Sequence, residues 1–246
     1  MSSFGEGPPL LIVHGLFGSG RNWGVIARRM ADTRHVVTVD MRNHGDSPWA
    51  APHDYPEMAD DLAEIIEEIG GPVDVIGHSM GGKAAMVLAL DHPALVRRLI
   101  VADIAPVTYG HSQQGMIDAM RKVDLLKVES RADADAMLAS QVDNPGVRAF
   151  LLQSLDVRGK SWRLNLEVLE ANMPEIIGFP SRDGAFDGPT FFLSGAESDY
   201  VQTNDRADIK SLFPAARFAK IPGAGHWLHA DKPREFEAAC RAFLDA

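Results

Sequence analysis

Val73-Asp74-Val75-Ile76-Gly77-His78-Ser79-Met80-Gly81-Gly82-Lys83 decides how the rest of the chain is read. Its first four residues form a short, largely β-branched run, the mark of a buried strand. From Lys83 to Leu90 the pattern is helical, and His92-Pro93 stops it. Ser79 therefore falls where a strand turns sharply into a helix. Such a turn crowds the side chains two positions to either side of its apex. Glycine stands at both, Gly77 and Gly81. The pattern is G-x-S-x-G, a nucleophile elbow, which lifts the serine oxygen into solvent. The first free N–H groups of the following helix point at the same spot. The plain alternative is a glycine-rich turn that merely holds a serine. The strand before it and the helix after it favour the nucleophile.

The same alternation of strand and helix extends upstream. Leu10-Leu11-Ile12-Val13 reads as a strand buried on both faces. It runs into the glycine-rich loop His14-Gly15-Leu16-Phe17-Gly18-Ser19-Gly20, and a helix is expected over 22–30. That loop matches neither nucleotide-binding glycine pattern. His35 to Val39 is the next strand. Beyond it, Asp40 and His44 are expected to hydrogen-bond their polar loop into shape. A helix over 56–69 has Met58, Leu62, Ile65, Ile66 and Ile69 on one face and acidic residues on the other, a solvated stripe.

Downstream, Leu99-Ile100-Val101-Ala102 is a further buried strand with Asp103 at its carboxyl end, where open parallel sheets build their sites. From about Val107 to Asp187 the alternation breaks. Helical patterns run over 114–126, 131–142, 145–154 and 164–173, with no convincing strand among them. This predicts a helical cap, 107–186, inserted into a core made of 1–106 and 187–246. The cap's Arg121, Lys122, Lys127 and Arg131 read as ordinary solvated charge in preference to a phosphate-facing patch. Thr190 to Ser194 resumes the strands, and Arg217 to Ile221 is the last. The loop Pro222-Gly223-Ala224-Gly225-His226-Trp227 then precedes a final helix over 233–244.

With 246 residues, 46% of them hydrophobic and 24% charged, the chain has the make-up of a water-soluble globular domain with a large core. A net charge of −10 argues against a nucleic-acid partner. The single cysteine, Cys240, forms no internal disulfide and fits a reducing compartment. Met1 to Gly7 has neither the basic nor the apolar part of a secretion signal. No apolar run reaches transmembrane length. A cytoplasmic protein without stable membrane insertion, monomeric or homodimeric, is the expectation.

His14-Gly15, Asp40-x-Arg42-x-His44-Gly45-x-Ser47, Gly77-His78-Ser79-Met80-Gly81-Gly82 and Gly223-x-Gly225-His226 together resemble the α/β-hydrolase superfamily. Val13 to Ser19, Gly81-Gly82-Lys83 and Asp103-Ile104-Ala105-Pro106 are similar, more narrowly, to the YbfF-type esterases and their mitochondrial ABHD11-like relatives. The likeness covers nearly the whole chain and is weakest in the cap. It implies an α/β-hydrolase fold, a mainly parallel sheet flanked by helices. It also implies carboxylic ester hydrolysis, extending to acyl-CoA thioesters, with no metal and no organic cofactor. The partner is then a small-molecule acyl ester or thioester. Carried over by position, Ser79 is the nucleophile and His226 the general base and acid. The N–H groups of Leu16 and Met80 form the oxyanion hole, with Phe17 beside it against the substrate.

The acid needs a separate argument. Superfamily enzymes usually carry it three residues after the glycine that ends the penultimate strand. Ser198 stands at that place here, and Asp199 comes one residue late. A shift of one residue reverses a side chain's direction in an extended segment. Asp103 is therefore preferred, with Ser198 as an auxiliary partner of His226 and Asp199 as the alternative. Only nine residues precede the first buried strand, where many relatives have an antiparallel hairpin, so about six strands are expected. Because fold does not fix function, two other readings stand beside the esterase. One is a C–C bond hydrolase or cofactor-free haloperoxidase on the same scaffold. The other is a non-catalytic module that binds a small molecule.

Overall fold

The apolar runs become the middle of one seven-stranded sheet in the computed structural model, which describes residues 1–246. In chain order the strands are β1 (Ser2–Phe4), β2 (Pro9–Val13), β3 (His35–Val39), β4 (Val73–His78) and β5 (Val96–Ala102). A two-residue pair follows, β6 (Leu155–Asp156) and β7 (Ser161–Trp162), then β8 (Thr190–Gly195) and β9 (Ala216–Ile221). The main sheet has the order β1-β3-β2-β4-β5-β8-β9, and every pairing in it is parallel except β1 with β3. Parallel neighbours need crossovers, and helices supply them.

Those helices are α1 (Gly24–Met30), α2 (Tyr55–Ile69) and α3 (Met80–Asp91) before the insert. Within it lie α4 (Gln114–Arg121), α5 (Arg131–Leu138), α6 (Pro145–Leu151), α7 (Leu166–Ala171) and α8 (Met173–Ile177). After it come α9 (Arg206–Leu212), α10 (Leu228–Asp231) and α11 (Pro233–Leu244). Strand periodicity of two splits the core into two faces. Leu10 and Ile12 of β2 meet Ile26 and Met30 of α1 and Phe236, Cys240 and Phe243 of α11. Leu11 and Val13 face the other way, toward α2, α3 and the helices of the insert. The Asp54 side chain caps α2 by accepting from the Glu57 N–H, and Gly70, in a left-handed conformation at φ 96°, ends the helix. No helix is long and apolar enough to cross a membrane.

Three details differ from the sequence reading. The sheet has a seventh strand, β1, because Ser2 to Phe4 pair antiparallel with β3 from Thr38 back to Val36. Three residues are too few to show a period. The insert also contains the β6–β7 pair, in which Leu155 faces Trp162, too short to register as strands in an otherwise helical pattern. The patterns at 114–126 and 145–154 each resolve into an α-helix and a separate 3-10 turn, Leu125–Lys127 and Leu152–Ser154.

Candidate active site

The elbow follows from its glycines. Ser79 sits at φ 53° and ψ −121°, a backbone setting that few non-glycine residues adopt. The turn can close this tightly only if nothing projects from its flanks. A Cβ on Gly77 would lie 2.4 Å from the Gly81 carbonyl oxygen, and one on Gly81 would lie 2.4 Å from that of His14. The Ser79 N–H donates to the Ala102 carbonyl of β5, which ties the apex to the neighbouring strand. The hydroxyl is left at the carboxyl edge of the sheet.

His226 arrives there on the loop after β9. Its Nε2 lies 3.0 Å from Ser79 Oγ, and its Nδ1 lies 2.8 Å from Asp103 Oδ2. Asp103 closes β5 at φ 52° and is fully buried. Its other oxygen accepts the Gly195 N–H at 2.9 Å. Ser79, His226 and Asp103 are thus one hydrogen-bonded row drawn from three separate loops. Asp199 is exposed and stands outside this row. Ser198 requires a correction: its hydroxyl donates to Asp103 Oδ2 and makes no bond to His226. The end of β8 lies directly against Asp103, so Ser198 reaches the carboxylate first.

Leu16, Phe17 and Met80 join Ser79 and His226 in the wall of a cavity of about 310 Å³. Met80 is the first residue of α3, so its N–H has no acceptor within the helix. The loop that carries Leu16 is held from below. The Phe17 N–H donates to His44 Nε2 at 3.2 Å, and the Met41 N–H donates to His14 Nε2 at 2.9 Å. The two Asp40 carboxylate oxygens accept from Gly20 and Asp46. His44 and Asp40 shape the loop, as their sequence position suggests. Burial pushes the imidazoles of His14 and His44 below their usual range, which keeps them neutral acceptors. Phe17 is buried, at φ 64°, and its carbonyl accepts from the Ser154 hydroxyl of the insert. Met116, Phe150 and Leu151 of the insert supply apolar wall opposite.

Sequence reasoning passed over two residues beside His226. His78, the variable position inside the elbow, donates from Nε2 to the His226 carbonyl at 2.8 Å and so anchors the histidine loop to the serine turn. The Tyr200 ring stacks on the His226 imidazole, with centroids 4.0 Å apart and planes 21° apart. The Tyr200 carbonyl accepts from Tyr109. Neither contact leaves a local sequence signal, since each joins segments far apart in the chain. The four basic residues of the insert have partners of their own: Arg121 pairs with Glu170, Lys127 with Asp124, Lys122 with Gln141, and Arg131 donates to the Leu152 carbonyl.

This geometry has close counterparts. Residues 8–233 match the family model of the alpha/beta hydrolase fold. The sn-1-specific diacylglycerol lipase ABHD11 of Mus musculus is 43% identical over 248 residues, covering 96% of this chain and 81% of its own. Esterase YbfF of Escherichia coli (strain K12) is 40% identical over 239 residues, covering 96% and 93%. Among solved structures, a marine microorganism esterase superposes with a TM-score of 0.94 at 40% identity, covering 98% of this chain and 97% of its own. By its serine turn, its parallel sheet and these relatives alike, the chain belongs to the α/β-hydrolase fold family.

Proposed function

We propose that the chain hydrolyses carboxylic esters through an acyl-enzyme on Ser79. The observation that carries this is the row of Ser79 Oγ, His226 and Asp103 at 3.0 and 2.8 Å, opening into a cavity with apolar walls. A serine hydroxyl is a weak nucleophile until a base takes its proton. His226 Nε2 is the base. Asp103, bonded to Nδ1, fixes the tautomer and stabilises the imidazolium that forms.

In the first step Ser79 Oγ bonds to the acyl carbon while its proton passes to His226. The carbonyl oxygen, now negative, is held by the N–H groups of Leu16 and Met80, each worth roughly 3 kcal/mol in the transition state. The bond to the leaving oxygen then breaks, and His226 returns its proton to the alcohol. Water then enters where the alcohol left. His226 takes a proton from it as the water oxygen bonds to the acyl carbon. The bond to Ser79 Oγ breaks as His226 returns the proton to that oxygen, freeing the acid and Ser79. Phe17 borders the acyl group, and the segment 107–186 acts as the cap over it. A thioester obeys the same electron flow with a thiol leaving, so acyl-CoA thioesters fall within the substrate range. The names of the relatives, a lipase and an esterase, support ester cleavage over C–C bond cleavage.

The test is a panel of p-nitrophenyl esters and acyl-CoAs at pH 7–8, run with wild type and Ser79→Ala. Turnover by wild type with a loss of at least 10³-fold in Ser79→Ala is expected. Absence of turnover on every substrate would sink the ester-hydrolase reading and promote a binding module or a C–C hydrolase.

A further inference from the structure

Lys83 lies in the first turn of α3, four residues after Ser79, and both border the same cavity. Lys83 is 1% exposed. A buried ammonium usually has a carboxylate beside it. Lys83 has none. Its Nζ donates instead to three backbone carbonyls: Val107 at 2.8 Å, Ile177 at 2.9 Å and Gly178 at 2.5 Å. The ring of Tyr109 lies 4.7 Å from the charge and that of Tyr55 5.8 Å. Burial pulls the pKa of Lys83 down from the usual 10.5, while three carbonyl acceptors, each needing an N–H, favour the protonated form.

The three carbonyls come from two places that matter together. Val107 is where the chain leaves the core after β5, and Ile177 and Gly178 are where the helices of the insert end. Two further bonds tie the same junction: the Tyr109 N–H donates to Ile177, and the Tyr55 hydroxyl donates to Ile176 at 2.6 Å. An ammonium has three donors in a tetrahedral fork, enough for all three oxygens at once. An apolar side chain would leave the Val107 and Gly178 oxygens without any donor. Tyr109, Ile176 and Ile177 are themselves wall of the cavity. Where the ammonium holds them decides how far that wall stands from Ser79.

We infer that Lys83 is a positioning residue that sets acyl-chain selectivity, by clamping both ends of the insert to the helix that carries the nucleophile. The selectivity part rests on the ester-hydrolase reading, whereas the clamp itself does not. Because carbonyls occupy all three protons, Lys83 is not a receptor for a carboxylate on the substrate.

The test uses the full chain as wild type, Lys83→Met and Lys83→Gln. Lys83→Met is close in length and removes a buried charge, and Lys83→Gln keeps a donor and carries the same comparison should Lys83→Met not fold. Hydrogen exchange is read at the amides of Tyr109 and Gly178, and p-nitrophenyl esters from acetate to decanoate are assayed. In Lys83→Met both amides exchange at least tenfold faster. The ratio of kcat/KM between the best long-chain ester and acetate falls at least fivefold, through KM more than kcat. Lys83→Gln lies between the two. Exchange and chain-length ratios equal to wild type in both variants overturn the proposal. So does a tenfold wild-type preference for p-nitrophenyl hemisuccinate over butyrate that Lys83→Met abolishes, because Lys83 would then be an anion receptor. If wild type turns over no ester and takes up no fluorophosphonate while exchange still rises in Lys83→Met, the clamp stands and the ester-hydrolase reading fails.

Discussion

The Ser198 hydroxyl donates to Asp103 Oδ2, the oxygen that also faces His226 Nδ1. With Gly195 on the other oxygen, the carboxylate receives three hydrogen bonds in a site closed to water. Such bonds fix the orientation of the carboxylate. In the proposed mechanism Ser198 thus acts on His226 at one remove, through Asp103. Removing one hydrogen bond to a charged group costs roughly 1.5–3 kcal/mol. Ser198→Ala should therefore lower kcat about tenfold with KM little changed, and Ser198→Thr should recover part of it. Steady-state kinetics on one ester decide the matter, and wild-type kcat in Ser198→Ala would show that Gly195 alone suffices.

Asp103 and Asp199 can be separated by the same assay. Asp103→Asn keeps the shape but offers an amide to His226 and favours the wrong tautomer, a change that costs about 10⁴-fold in kcat in triads of this kind. Asp199 is exposed and apart from the imidazole, so Asp199→Asn should stay within twofold of wild type. The reverse pattern would move the acid to the β8 loop.

Why Ser79 was legible and Ser198's partner was not is a matter of range. The elbow is encoded within five residues, because Gly77 and Gly81 each avoid a backbone atom of the turn or of the adjoining loop. His226 was expected from the loop after the last strand, and Asp103 from its place at the end of β5 together with the family resemblance, in which Ser198 stands where an Asp is usual; the structure brings both into one row with Ser79. Ser198 needed the approach of the β8 end to the β5 end, which no local pattern records. His78, Tyr200 and Lys83 stayed hidden for the same reason. Their partners are His226, His226 again, and Val107 with Ile177 and Gly178, all distant in the chain. The long strands and helices were readable from their apolar runs and periodicity, whereas β1 and the β6–β7 pair were too short to show any, and the strand order emerged only from the pairings.

The glycines supply a stability test. Gly81→Ala would place a methyl group 2.4 Å from one backbone oxygen and 2.7 Å from another, neither of which can swing away. Overpacking of this kind costs about 3 kcal/mol. Gly115 lies exposed in α4 with nothing within 4 Å of a Cβ. Alanine there gains up to about 1 kcal/mol of helix propensity. Thermal melts should place Gly81→Ala well below wild type and Gly115→Ala about 2 °C above it. Equal melting temperatures would mean the turn is less tightly packed than its geometry indicates.

His229 gives a pH test with a defined sign. Its ring stacks on Trp23 with centroids 4.0 Å apart, and its buried Nδ1 has no hydrogen-bond partner. Burial, with His226 nearby, lowers its pKa to about 3 from the usual 6.5. An imidazole lowered in the folded state takes up its proton more readily when unfolded. Its contribution to stability is therefore complete above pH 6.5 and is lost as the pH falls toward 3. At pH 5 the loss amounts to about 2 kcal/mol for this one group. Burial lowers His14, His44, His53 and His78 in the same direction, so the wild type should weaken steeply on acidification. His229→Phe keeps the stack on Trp23 and removes both the titrating group and the unpartnered nitrogen. Urea unfolding at pH 8 and pH 5 should show the gap between the two conditions narrowed by about 2 kcal/mol in the variant. A gap as wide as that of wild type would mean that His229 can take up a proton in the folded protein, with water reaching Nδ1 beside Trp23.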